Sequence, residues 1–135
     1  MQHRMTQAQY QEVFANIDIC NSLFPKTFPK RGGAQVNPLK VGIAKELQIA
    51  LAEAGHDVSM NAIRRLLTYW CSRNFYLKSF KKVVTRIDLA GDPAGAITED
   101  QRSIAKLTLT ERADRLQAKK EIRLEASESV AEKVI

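Results

Sequence analysis

Amphipathic helical spacing runs through most of this 135-residue chain and fails in two stretches, so the fold must be mainly helical with two irregular insertions. The first break, residues 23–33, contains Pro25, Pro29, Gly32 and Gly33, which together forbid a regular helix. The second lies in residues 75–89. There Tyr76-Leu77-Lys78-Ser79-Phe80 and Val83-Val84-Thr85-Arg86-Ile87-Asp88-Leu89 read as two short strands around Lys81-Lys82. Alternation puts Thr85, Ile87 and Leu89 on one face and Val84, Arg86 and Asp88 on the other. Gly91-Asp92-Pro93-Ala94-Gly95 reads as a turn.

The helices announce their ends. Thr6 with Gln9 has the form of a capping box, followed by Tyr10, Val13, Phe14 and Ile17 at helical spacing. Asn37-Pro38 predicts a second helix start, with Ile43, Leu47, Ala50, Leu51 and Ala54 as its apolar stripe and Gly55 as its stop. Ser59 caps a third helix that buries Ile63, Leu66, Leu67 and Trp70 and turns Arg64, Arg65 and Thr68 outwards. Thr98 with Gln101 opens a last helix through Ile104, Ala105 and Leu109. Beyond Glu111 apolar residues thin out, which predicts a solvated helix fraying towards Ile135. The expected class is mainly α (α+β): a compact unit of about five helices with one short β-hairpin. Residues 1–12 are expected to be a flexible start leading into the first helix, 13–116 the folded domain and 117–135 a charged helical extension.

Charge narrows the function. Residues 61–90 hold Arg64, Arg65, Arg73, Lys78, Lys81, Lys82 and Arg86 against Asp88 alone, a net of 7 − 1 = +6 that equals the excess of the whole chain. Tyr69, Trp70, Phe75, Tyr76 and Phe80 are interleaved with these cations. Cations neutralise phosphates and rings stack on unpaired bases, so the pattern points to nucleic acid, with single-stranded or irregular RNA ahead of duplex DNA. Each piece also has a plainer explanation: Trp70 falls on the core stripe, and lysines commonly solubilise an edge hairpin. Tyr76 is open between the two. Neither explanation accounts for the missing acids.

Other classes find little support. His3 and His56 have no partner at metal-ligand or triad spacing, and Cys20 and Cys71 form no metal or disulfide pattern. Gly32-Gly33 lacks the lysine and hydroxyl of a phosphate-binding loop. Cys71 fits a small buried residue as well as a reactive thiol. Neither catalysis nor a cofactor or metal is expected. No zinc-finger spacing or basic heptad region occurs, and a helix-turn-helix over residues 44–70 fits its turn poorly. With no apolar run near the roughly 20 residues of a membrane span and a polar first ten residues, a cytoplasmic protein without membrane contact is expected.

Leu23-Phe24-Pro25, Asn37-Pro38-Leu39-Lys40-Val41-Gly42-Ile43, Leu66-Leu67-Thr68-Tyr69-Trp70, Tyr76-Leu77 and Thr85-Arg86-Ile87-Asp88-Leu89-Ala90-Gly91-Asp92-Pro93-Ala94-Gly95 together resemble the ProQ/FinO family of bacterial RNA chaperones. The likeness runs in order from about Phe14 to about Leu116. It implies a mainly helical fold with a short hairpin. It also implies binding of structured RNA, a hairpin stem followed by a single-stranded 3′ tail, in small RNAs, terminators and messenger 3′ ends. By position, it implies RNA contacts from Lys40, Arg64, Tyr76 and Arg86, with Ser59 capping a helix whose amides approach the RNA backbone. Asn61, Arg65, Lys78 and Lys82 join them as expected RNA-binding residues, following the stem backbone beside a pocket formed by Tyr76 and Arg86. The protein is then a monomeric RNA chaperone in post-transcriptional regulation. The competing function is an adaptor whose basic surface meets an acidic protein.

Overall fold

A computed structural model describes residues 4–30 and 35–134, with side chains through residue 127. The expectations for His3, Gly32 and Gly33 lie outside the described residues. In chain order the elements are α1 (Gln7–Leu23), α2 (Ile43–Glu53), α3 (Met60–Cys71), α4 (Asn74–Ser79), β1 (Thr85–Ile87), β2 (Pro93–Ala96) and α5 (Glu99–Val134). No described helix is long and apolar enough to cross a membrane.

Three of the sequence-read caps form as expected. The Thr6 side chain accepts from the Gln9 amide while Gln9 Oε1 accepts from the Thr6 amide, and Thr98 and Gln101 repeat the exchange at α5. Ser59 Oγ accepts from the Ala62 amide at 3.1 Å and opens α3. α1 departs in detail: it buries Val13, Asn16 and Cys20, whereas Tyr10 and Phe14 remain exposed and pack on Tyr69 at the rim. α3 lies between α1 and α2, and Ile63, Leu66 and Trp70 meet Leu47, Leu51, Phe28 and Cys20 in one core. Burial pushes the Cys20 thiol up to about 12.

The helix expected to start at Asn37-Pro38 starts instead at Ile43, capped by Gly42 in the left-handed region at φ 80°. The backbone before it is already committed elsewhere. Ile87 N donates to Pro38 O at 2.9 Å and Lys40 N donates to Ile87 O at 2.8 Å, an isolated parallel bridge of Leu39 onto β1. A helical turn at 38–41 would give up both bonds.

The hairpin also moves. Residues 76–80, read as a strand, fall instead on the short helix α4 (Asn74–Ser79) and its C-cap Phe80, because Tyr76, Ser79 and Phe80 sit at i, i+3 and i+4 and all three are buried. Tyr76 and Phe80 rings meet edge-on at 5.6 Å. The strand partner of β1 is β2, paired antiparallel with Thr85 opposite Ala96, Ile87 opposite Pro93 and a bulge between them. Thus Pro93, Ala94 and Gly95, read as part of a turn, belong to β2, and the turn is residues 88–92. Asp88 builds it: Oδ1 accepts from the Ala90 and Asp92 amides, both at 3.0 Å. Gly91 adopts φ 86°, and a Cβ there would lie 3.0 Å from the Lys26 side chain.

The loop after α1 is anchored to this turn. Fully buried Thr27 directs its hydroxyl at Asp88 O (2.9 Å) and Leu89 O (3.0 Å), and Asn21 Nδ2 donates to Phe28 O at 2.7 Å. Thr27→Val keeps the shape and removes the donor that two part-buried carbonyls share. It should cost about 1–3 kcal/mol of stability in urea unfolding. Unchanged stability would show that the hydroxyl does not hold the loop.

Candidate nucleic-acid interface

The basic segment 61–90 is folded around the main chain of one residue, Leu39. Its amide donates to Tyr76 Oη at 3.0 Å, and its carbonyl accepts from Arg86 Nη1 at 2.9 Å. Tyr76 comes from α4 and Arg86 from β1, so the two residues expected to face each other across a hairpin meet across Leu39 instead. Tyr76 is only 5% exposed, which leaves its ring no free face for a base. Of the two readings left open for Tyr76, the structure places it in the core. Burial, more than the neighbouring Cys71, pushes its phenol up to about 12, with the Leu39 amide and Arg86 opposing.

Arg86 is the reactive member of the pair. Its guanidinium carbon lies 5.5 Å from the Phe80 ring centroid, and the bond to Leu39 O fixes the plane. Its Nε is buried and has no hydrogen-bond partner among the described residues. A partly buried guanidinium whose plane is fixed can donate to an anionic oxygen or a base edge.

Arg64 leads to this corner. It is exposed, and Cys71, seven residues on, shares its side of α3 about 10 Å further along the axis. Cys71 in turn faces Tyr76 and Arg86; burial raises its thiol, and both neighbours counter that rise. Ser59 and Asn61 stand exposed on the first turn of α3, where free amides and the helix dipole favour an anion. Lys40 lies in the segment before α2, and its ammonium is paired with Glu46. Lys78 and Lys82 are exposed at the end of α4 and in the turn into β1. Arg65 is separated from the group: it faces α1 and pairs with Glu12 at 3.6 Å.

Of the interleaved aromatics, Trp70, Tyr76 and Phe80 are core residues. Phe75, at 42% exposure, and half-buried Tyr69 keep accessible surface. Two arginines at the α3–α4 corner lie outside the expected RNA-binding residues: Arg73, counted only among the cations of 61–90, and Arg112, which the sequence reading missed. Arg73 lies over the Tyr69 ring at 4.5 Å, and Arg112 Nη1 donates to Ser72 O at 2.7 Å and Asn74 Oδ1 at 2.8 Å. No local signal marks Arg112, because its partners lie 38 and 40 residues away.

A raised tyrosine pKa means that the fold favours the neutral phenol. That contribution is complete below the unfolded value near pH 10 and is lost as pH rises towards about 12. Tyr76→Phe should flatten this part of the alkaline stability profile. It should also destabilise the protein at neutral pH by about 1–3 kcal/mol, since it orphans the Leu39 amide. Equal profiles for both proteins would show that Tyr76 is not the titrating group.

Comparison with known proteins agrees with this architecture. The sequence model of the ProQ/FINO family matches residues 10–122. The chain is 37% identical over 110 residues to the RNA chaperone ProQ of Vibrio vulnificus, covering 82% of this chain and 50% of that protein. It is 33% identical over 110 residues to the RNA chaperone ProQ of Shewanella amazonensis, covering 82% and 49%. The chain thus spans about half the length of the curated relatives it matches. The solution structure of a ProQ homolog from Legionella pneumophila superposes with a TM-score of 0.59 at 29% identity, covering 84% of this chain and 90% of that one. A FinO-like RNA chaperone from Neisseria meningitidis shares the fold, with a TM-score of 0.58 at 23% identity over 72% and 93% of the two chains. The chain belongs to the ProQ/FinO family.

Proposed function

We propose that this ProQ/FinO-family chain is an RNA-binding protein and RNA chaperone that takes a hairpin followed by a single-stranded 3′ tail. The observation that carries the reading is Arg86: a half-buried guanidinium oriented by its bond to Leu39 O and by the Phe80 ring. A planar fork held in place suits a phosphate or base edge of an unpaired end. Arg64 and the α3 N-terminus extend from it over a distance that suits successive phosphates, since α3 from Ser59 to Cys71 rises about 18 Å. Lys78 and Lys82 add mobile charge on the flank. Tyr76 acts as a positioning residue that holds Leu39, and through it Arg86. Binding of this kind protects RNA 3′ ends and brings RNA strands together, and it fits the names of the relatives, RNA chaperones.

Anisotropy titrations test the reading. Arg86→Ala should weaken binding of a tailed hairpin by about 1–3 kcal/mol, and Arg86→Lys should still be impaired, because an ammonium cannot copy the fork. Removing the tail should erase most of the difference between wild type and variant. With about four to six phosphates contacted, log affinity should fall against log salt with a slope of roughly −3 to −5. Folded Arg86→Ala protein that binds tailed RNA like wild type would place the 3′ end elsewhere. A wild type that binds no RNA would overturn the function.

A further inference from the structure

Past the domain, α5 continues as an arm: every residue from 113 to 127 is exposed. Residues 91–135 net 8 − 9 = −1, which hides how the charges are arranged. At 3.6 residues per turn, Arg112, Arg115, Lys119, Lys120 and Arg123 fall within an arc of roughly 140°. Glu111, Asp114, Glu121 and Glu125 fall on the opposite side within roughly 80°.

A helix that needs only solubility mixes opposite charges at i, i+3 and i, i+4, where they stabilise it. Here such neighbours are mostly alike: Arg112 with Arg115, Arg115 with Lys119, Lys119 with Arg123, and Glu121 with Glu125. That spacing destabilises an isolated helix. Glu111–Arg115 is the one opposite-sign pair at i+4 in residues 111–125, and it forms no ion pair; none of the three ion pairs found among the described residues involves residues 111–125. Nor does the arm have an apolar face. Leu116, Ile122 and Leu124 point in well-separated directions, which suits neither a coiled-coil seam nor a membrane surface.

The cationic side has a fixed direction. Arg112, its first member, turns towards the domain and bonds Ser72 O and Asn74 Oδ1, in an open cleft lined by Arg73, Asn74, Phe75 and Arg112. The stripe therefore leaves the α3–α4 corner, where α3 ends beside Cys71, and runs about 16 Å outwards to Arg123.

We infer that the cationic side of the α5 arm is a second RNA contact, a sequence-independent strip for the phosphates of a duplex stem whose 3′ tail is held at Arg86. The inference rests on the RNA-binding function proposed above. The test compares wild type, Arg86→Ala and the triple variant Arg115→Gln, Lys119→Gln, Arg123→Gln on tailed hairpins with a long and a short stem. Circular dichroism checks that helicity is kept. On the long stem the triple variant should bind roughly tenfold or more weakly, and its salt slope should be shallower by about 2–3, the share of three phosphates. On the short stem it should match wild type. A photo-crosslinker at position 119 should label the long-stem RNA, while one at position 121, on the acidic side, should not. Unchanged long-stem affinity and slope in the triple variant, or equal labelling from 119 and 121, with Arg86→Ala still impaired, would overturn the arm alone. Loss of all RNA binding by wild type would overturn both proposals.

Discussion

Everything near the candidate site depends on the main chain at residues 38–40. Pro38 has no amide to donate, yet its carbonyl accepts from Ile87, and Lys40 returns an amide to Ile87. Between them Leu39 presents an amide and a carbonyl that no strand satisfies, and side chains from α4 and β1 complete both. Partners 37 and 47 residues away are drawn to one point. Burying two backbone groups without partners would cost free energy at each. The fold and the orientation of Arg86 therefore share one set of hydrogen bonds, and Tyr76 is needed for the second through the first.

What the sequence made legible is local. Thr6, Ser59 and Thr98 cap helices because a side chain and an amide three residues apart suffice, and no tertiary partner is needed. The focused cations of residues 61–90 were equally visible. What misled was local evidence overruled by distant partners. Asn37-Pro38 has the chemistry of a helix start, but β1 claims the backbone that such a helix would need. Residues 76–80 have the composition of a strand, and the six residues of α4 are too few for a helical period to outweigh it. Arg64 and Arg86 stand in the charged segment that the sequence shows, and the family resemblance singles out both. The burial of Tyr76, the diversion of Arg65 to Glu12 and the pairing of Lys40 with Glu46 were beyond reach, because each depends on which element packs beside it.

Charge arrangement, more than charge total, separates the regions of this protein. Around α3 and β1 the cations outnumber the acids, and some are individually neutralised, as Arg65 and Lys40 are. On the α5 arm the totals nearly cancel while the two signs occupy opposite sides of a single helix. A polyanion responds to the local field within a Debye length of about 8–10 Å, so opposite sides of one helix are partly screened from each other. Net charge by segment misses such a surface, and helical phase recovers it.

Cys71 shows how the corner keeps its positive character. A thiolate beside Arg86 would compensate the guanidinium and compete with any incoming phosphate. Burial raises the thiol and keeps it protonated, and this outweighs the pull of Arg86 and the Tyr76 hydroxyl in the other direction. Tyr76 stays neutral for the same reason. Two groups able to become anions lie against Arg86, and burial raises the pKa of both. The guanidinium itself is held by a neutral carbonyl and a ring. The apolar packing that stabilises the fold thus also sets the electrostatics of the site.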